Sequence, residues 1–382
     1  MALLLNEQQQ LLKDTVKDFV QKNAPISHFR ELRDKQDKTG YSKDLWKKMV
    51  DLGWAGILVH EDYGGSNFGM MGLGAILEET GRNLVPSPLL STALLGASLI
   101  QIAGSEAQKK KLLPKITEGK LTTAFALEES GKHDPLNIST SCIDRGNKLV
   151  LEGKKTFVLD GHSADLLIVV ARHTETADGK KIGEEGRGLY LVDPKQKGIT
   201  ISKLNMVDSR NYSDIVFDKV EINKEDQLGE MEAGGVIEEV LERGQIGISA
   251  EMLGNALEAF DKTLEYLKER NQFGKPIGSF QSLQHRAATM FAELELTKSS
   301  VLGALNAVDE NSNDRSRYAS LAKFKAGETL NLVSSEAVQM HGGVGVTDEF
   351  DIGFFLKRSR VAEQIFGSSN FHLNRYAILS EY

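Results

Sequence analysis

The sequence predicts an α+β fold in three parts: an N-terminal helical domain, a middle antiparallel β-barrel or sandwich, and a C-terminal four-helix bundle. Three observations lead there. Apolar residues recur at helical spacing up to about residue 118, the pattern of amphipathic helices. From about Leu121 the chain breaks into short β-branched or alternating runs separated by Gly, Asp and Asn, as strands joined by turns do. From about Gly234 long helical runs return to the end, which fits a bundle. The boundaries read as 1–118, 119–228 and 229–382.

The elements follow in order. Asn6-Glu7-Gln8 opens a helix with Leu11, Leu12, Val16, Phe19 and Val20 on one face. Ser42 precedes a second periodic run that ends near Gly53, and Ser is a favoured N-cap. The stretch His60–Gly65 is turn-rich; helices follow over Met70–Thr80, over the apolar 88–103, and from Ser105 to Ile116, with Gly119 as the stop. Strands are expected at Thr122–Leu127, Lys148–Leu151, Lys155–Leu159, Leu166–Ala171, Gly188–Val192, Ile199–Leu204 and Ser213–Val220, with Thr174–Arg187 as a hairpin tip. The last part reads as helices over Val236–Lys268, Ser282–Asp309 and Ser316–Met340, then a Gly-rich loop His341–Val346 and a final helical region after Asp348.

Composition narrows the function classes. A net charge of −8 over 382 residues leaves no basic footprint for nucleic acid or an anionic membrane. The single cysteine, Cys142, excludes an internal disulfide and fits a reducing, cytoplasmic setting. The start MALLLNEQQQ lacks the basic residues and longer apolar core of a signal peptide. The apolar stretch Pro88–Ala103 is too short to span a bilayer. No metal site is expected.

One stretch stands out. Between the long helices lies Arg270-Asn271-Gln272-Phe273-Gly274-Lys275-Pro276. Gly permits a positive φ and Pro fixes its own, so this break has a defined shape. Arg270 and Gln281 on either side supply a forked cation and an amide, groups suited to a diphosphate or a polar ring edge. A plain helix corner with a solvated Arg uses the same residues.

The order α, β, α, together with RNQFGKPIGSFQSLQH (Arg270–His285), QMHGGVGVTDE (Gln339–Glu349), LWKKMVDLGWAGILVHEDYGG, LLPKITEGK and LEGKKTFVLDG, resembles the acyl-CoA dehydrogenase family over essentially the whole chain. That resemblance implies an FAD flavoprotein that oxidises an acyl-CoA thioester across its α and β carbons, with β-hydride transfer to flavin N5. It implies a homo- or hetero-oligomer, a dimer of dimers, that passes electrons to an electron-transferring flavoprotein or a similar acceptor. It also implies cofactor contacts at Arg270, Phe273 and Gln281, at Gln339, Gly342 and Gly343, and at Leu127, Glu128, Phe157 and Ser368. His341 reads as a loop residue with no ligand duty.

The chain departs from the family pattern at the base that should take the α-proton. The position directly before the C-terminal Gly-Ser is Phe366, and the alternative position on the long helix is Gly244, followed by Gln245 where the family usually has Arg. Glu242 lies two residues away, a rotation of roughly 200° on a helix, and reads as a solvated carboxylate of the run Glu238, Glu239, Glu242. Glu128, where a Thr is usual, and Glu363, one turn before Phe366, remain as candidate bases. Phe157 keeps an aromatic face where a Trp is usual, and Leu159 replaces a Thr. Two readings follow: a dehydrogenase with an unusual base, or the non-catalytic subunit of a two-subunit enzyme, similar to the small subunits of pimeloyl-CoA dehydrogenase type.

Overall fold

The computed structural model describes residues 5–175 and 186–382. In chain order the first helices are α1 (Glu7–Asn23), α2 (Ile26–Asp34), α3 (Lys43–Asp51), α4 (Gly69–Arg82), α5 (Ala97–Ala103) and α6 (Glu106–Thr117). The strands β1 (Thr123–Ala126), β2 (Ser141–Asp144), β3 (Lys148–Leu159), β4 (Leu166–Glu175), β5 (Arg187–Val192), β6 (Ile199–Asn205), β7 (Asn211–Asn223) and β8 (Gln227–Leu228) follow. The last part holds α7 (Gly234–Glu269), the short strands β9 (Asn271–Gln272) and β10 (Lys275–Pro276), then α8 (Gln281–Asp309), α9 (Arg315–His341), α10 (Ile352–Ala362) and α11 (Ser369–Leu379).

Local chemistry accounts for the helix starts. The Asn6 side chain accepts from Gln9 N while Gln9 reaches back to Asn6 N, and Ser105 with Gln108 repeats that reciprocal cap. Ser42 accepts from Leu45 N as its position suggests. Two expectations change. The apolar 88–103 is not one α-helix: Leu89–Gly96 is wound as a π-helix before α5 begins. The strands expected at Lys148–Leu151 and Lys155–Leu159 are one strand, β3, whose pairing with β7 slips between Leu151 and Gly153. The tip of the expected Thr174–Arg187 hairpin lies outside the described residues; its flanks pair antiparallel, Arg172 opposite Arg187.

The chain divides into two compact units, one of Met1–Lys35, Gly69–Pro86 and Gln245–Tyr382, the other of Gln36–Phe68 and Ser87–Gly244. The second holds the sheet, in the order β6-β7-β3-β2-β4-β5-β8 with β1 also on β4. Most pairings are antiparallel, but β1 and β2 both run parallel to β4, where only antiparallel pairing was expected. A tight hairpin joins only antiparallel neighbours, so hairpin logic does not apply to these two pairings. Leu151, Val158, Leu167, Val169, Tyr190 and Phe217 form the centre of its core.

In the first unit α9 packs against α8, α10 and α11, and α4 packs against α1 and α8. Helices α4 and α7 touch backbone to backbone. A Cβ on Gly254 would lie 1.9 Å from the Glu78 carbonyl oxygen, and one on Gly81 would lie 2.4 Å from that of Glu251. Only glycine permits that approach.

Candidate active site

The arm between α7 and α8 is a two-residue hairpin, with Lys275 paired to Gln272 and Pro276 to Asn271. Phe273 and Gly274 form its turn at φ of 54° and 78°. Positive φ at both central residues is the turn that matches strand twist, yet Phe is a strained occupant of the first position. Its ring is 89 % exposed, resting edge-on against Phe280 with centroids 6.0 Å apart, and Lys275 sits 4.4 Å over the Phe280 ring. An exposed, strained aromatic points to a contact outside the chain. Phe157 and Phe366, the other two phenylalanines placed at the site from sequence, also sit in the left-handed region, at φ of 48° and 56°.

Arg270, Gln281 and Gln339 are all exposed. Among the described residues none of their side chains makes a hydrogen bond or an ion pair. Gly342 has φ 64°, and a Cβ on it or on Gly343 would meet nothing within 4 Å. The arm and the Gly-rich loop therefore offer one free guanidinium, two free amides and an open backbone approach. A diphosphate and ribose fit that donor set, so these residues suit the ADP half of FAD.

In the β-sheet unit, Thr156 N donates to the Glu128 carbonyl at 2.8 Å, which draws Phe157 alongside the end of β1. Leu127 is buried and Phe157 half-exposed, with Tyr212 edge-on to its ring at 6.4 Å. The Glu128 carboxylate meets His133 Nδ1 at 2.5 Å, and the imidazole is almost wholly buried. Sequence reasoning gave His133 no role; its place five residues after a carboxylate in an irregular loop was the only signal. Beneath lies a second pair, Glu129 with Lys155 at 2.7 Å, the lysine fully buried. Burial pushes the Lys155 amine down to about 8. The same burial raises the Glu129 carboxyl, but Lys155 and Thr140 outweigh it and the net shift is downward.

The base positions are occupied as follows. Phe366 sits in a turn clamped from three helices. Lys323 Nζ donates to the Glu363 and Gly367 carbonyls at 2.8 and 3.0 Å, and His372 Nε2 donates to the Phe366 carbonyl at 2.9 Å. Gln245 Nε2 reaches the same carbonyl at 3.4 Å. Lys323 is fully buried, and burial brings its amine down to about 7. Gln245, where the family usually has Arg, thus reaches the backbone of Phe366 and not its ring. The Glu363 carboxylate accepts from Ser369 N at 2.7 Å and from the Gln364 amide, so it braces the start of α11, beside the Ser368 cap. Glu242 is not solvated as its charge run suggested: it is 1 % exposed.

Comparison with known proteins decides the family. Acyl-CoA dehydrogenase N-terminal, middle and C-terminal domain profiles match residues 6–120, 124–220 and 234–378 in turn. The chain belongs to the acyl-CoA dehydrogenase family. It is 32 % identical to the 3-(aryl)acrylate reductase of Clostridium sporogenes, over 96 % of this chain and 97 % of that one. It is 31 % identical to the CarC subunit of the caffeyl-CoA reductase–Etf complex of Acetobacterium woodii, over 94 % of each. The structure of butyryl-CoA dehydrogenase from Megasphaera elsdenii superposes with a TM-score of 0.89 at 27 % identity, covering 100 % of both chains. As an acyl-CoA dehydrogenase the protein is an FAD-dependent oxidoreductase. Among its described residues no helix is long and apolar enough to cross a membrane, and no group of His, Cys, Asp and Glu could hold a metal ion.

Proposed function

We propose that this chain removes the α and β hydrogens of an acyl-CoA thioester within a cytoplasmic oligomer and hands the electrons to an electron-transferring flavoprotein or similar acceptor. The observation that carries the reading is the set of unpartnered donors, Arg270, Gln281 and Gln339, beside the open Gly342–Gly343 backbone. FAD, when bound there, supplies the acceptor for the β-hydride. Arg270 gives the diphosphate a charged fork, and Gln281 and Gln339 give amide contacts that fix its register. Leu127 and Phe157 offer an apolar wall and an aromatic face. The exposed Phe273 tip supports assembly, because an aromatic left largely exposed beside Phe280 suits a neighbour's site.

The proton side rests on Glu128. A carboxylate held against a buried imidazole is an arrangement that keeps and moves a proton, whereas the Glu363 carboxylate is engaged in bracing α11. A second reading has its own observation. Phe366 and Gly244, at the two usual base positions, offer no carboxylate, and this favours a non-catalytic subunit whose partner chain carries the base. One experiment separates the two. Purified alone and mixed anaerobically with a panel of acyl-CoAs, the chain is expected to lose its visible flavin absorbance with one of them. Glu128→Gln should then slow that bleaching by about a hundredfold or more. Bleaching at the wild-type rate removes Glu128 as the base. A flavin that no acyl-CoA bleaches points to the partner-dependent enzyme.

A further inference from the structure

The Gly-rich loop is gripped by side chains for which the dehydrogenation chemistry has no use. His341 ends α9 and is 6 % exposed. Tyr266 of α7 lies face to face with its imidazole, centroids 4.3 Å apart and planes 22° apart, and the Tyr266 hydroxyl donates to the His341 carbonyl at 3.3 Å. Phe350 meets both rings edge-on, at 6.1 and 6.0 Å. His341 Nδ1 lies 2.7 Å from the Ala337 carbonyl, so that nitrogen carries the proton and donates. Four residues on, a Cβ on Gly345 would lie 2.6 Å from the Val338 carbonyl, so the loop is folded tightly back on the end of α9. Beyond the loop, Asp348 is held by Arg33 at 2.6 and 2.7 Å and by Arg30. Between these two anchors Gly342 and Gly343 leave the backbone open, since a Cβ on either would meet nothing within 4 Å.

We infer that His341 is a positioning residue for the cofactor: stacked on Tyr266, with Phe350 edge-on to both rings, it fixes the peptide from which Gly342 springs and so presets the open backbone to which FAD docks. This rests on the reading of Gly342 and Gly343 as cofactor contacts. The residue touches no reacting atom and acts through the loop alone. A preset loop loses less freedom on binding, which is why the arrangement strengthens affinity. Burial favours the neutral imidazole in this place. Burial, with Lys262 nearby, lowers its pKa below the ordinary histidine value, against the pull of the Ala337 carbonyl. The charged groups on the elements around it are Lys262 on α7 and Asp348, Glu349 and Asp351 on the segment bearing Phe350. Asp348 and Asp351 are already bonded to Arg33 and Arg30, and Glu349 is exposed. Because the folded pKa is depressed, the stacked arrangement is fully favoured above the free-histidine value and weakens as pH falls below it.

The test is FAD titration of the apoprotein, followed by flavin fluorescence, at about pH 7.5 and about pH 5.5, with melting temperature as a control. Wild type should bind more weakly at the acid pH. His341→Asn should bind about tenfold more weakly than wild type at the higher pH, lose most of the acid effect, and melt close to wild type. Tyr266→Phe removes only the hydroxyl bond and should weaken binding by about threefold, so it carries the test if His341→Asn does not fold. Wild-type affinity in the folded variants, or an acid effect undiminished in His341→Asn, overturns the inference. A wild-type chain that takes up no FAD overturns the cofactor reading itself, and this inference with it.

Discussion

Alanine at Arg270 is expected to strip the protein of its flavin. The guanidinium stands exposed with no partner in its own chain among the described residues, so its removal leaves local packing untouched and takes away one charge-assisted contact. Such contacts are worth about 1.5–3 kcal/mol, or roughly 10- to 150-fold in FAD affinity. Gel filtration at micromolar protein should then deliver a pale Arg270→Ala variant and a yellow wild type. Arg270→Lys should recover only part of the loss, because an ammonium cannot form the two parallel bonds of the fork. A variant as yellow as wild type would show that Arg270 makes no cofactor contact.

Gly254→Ala is expected to be the most destabilising single methyl in the fold. Its Cβ would stand 1.9 Å from the Glu78 carbonyl oxygen and 3.1 Å from the Arg82 nitrogen, both backbone atoms of α4. Neither can swing aside as a side chain would, so α4 and α7 must separate along their length. Overpacking of this kind costs about 3 kcal/mol or more, a fall in melting temperature of about 4 °C or more for a chain of this length. Gly235→Ala lies on the same helix, and its Cβ would meet nothing within 4 Å. Alanine there should melt at or slightly above wild type. Equal melting of the two variants would disprove the backbone contact between α4 and α7.

Much of this was legible in the sequence because it is written in local chemistry. The order of helical and strand segments, the Ser42 cap and the shaped break at Phe273-Gly274 follow from periodicity and backbone preference alone; that the break is a two-residue hairpin was not legible. The arm stood out in the sequence because a forked cation, Arg270, and an amide, Gln281, flank a Gly-Pro break between helices. What escaped depends on distant partners. Helix α2 follows Pro25, which gives no side-chain cap, so nothing local announced it. The strand β2 pairs in parallel with β4 some thirty residues on, a match no short window contains. Glu242 reads as solvated among its acidic neighbours and is buried; Lys155 and Lys323 look like surface lysines and are wholly enclosed. His133 became a candidate only when an irregular loop folded it onto Glu128.

The two enclosed lysines bear on a hazard particular to this chemistry. Thioesters transfer their acyl groups to unprotonated amines, and an amine whose pKa falls near neutrality is the most exposed to that side reaction. Lys323 at about 7 and Lys155 at about 8 fall in that range. Both are sealed from solvent, and each amine is occupied at two acceptors: the Glu363 and Gly367 carbonyls for one, the Leu127 carbonyl and Glu129 for the other. A neutral amine has two hydrogens to give, so both are taken. The same burial that makes these amines nucleophilic keeps them out of reach of the acyl-CoA, so the folded enzyme resists acylation by its own substrate at both lysines.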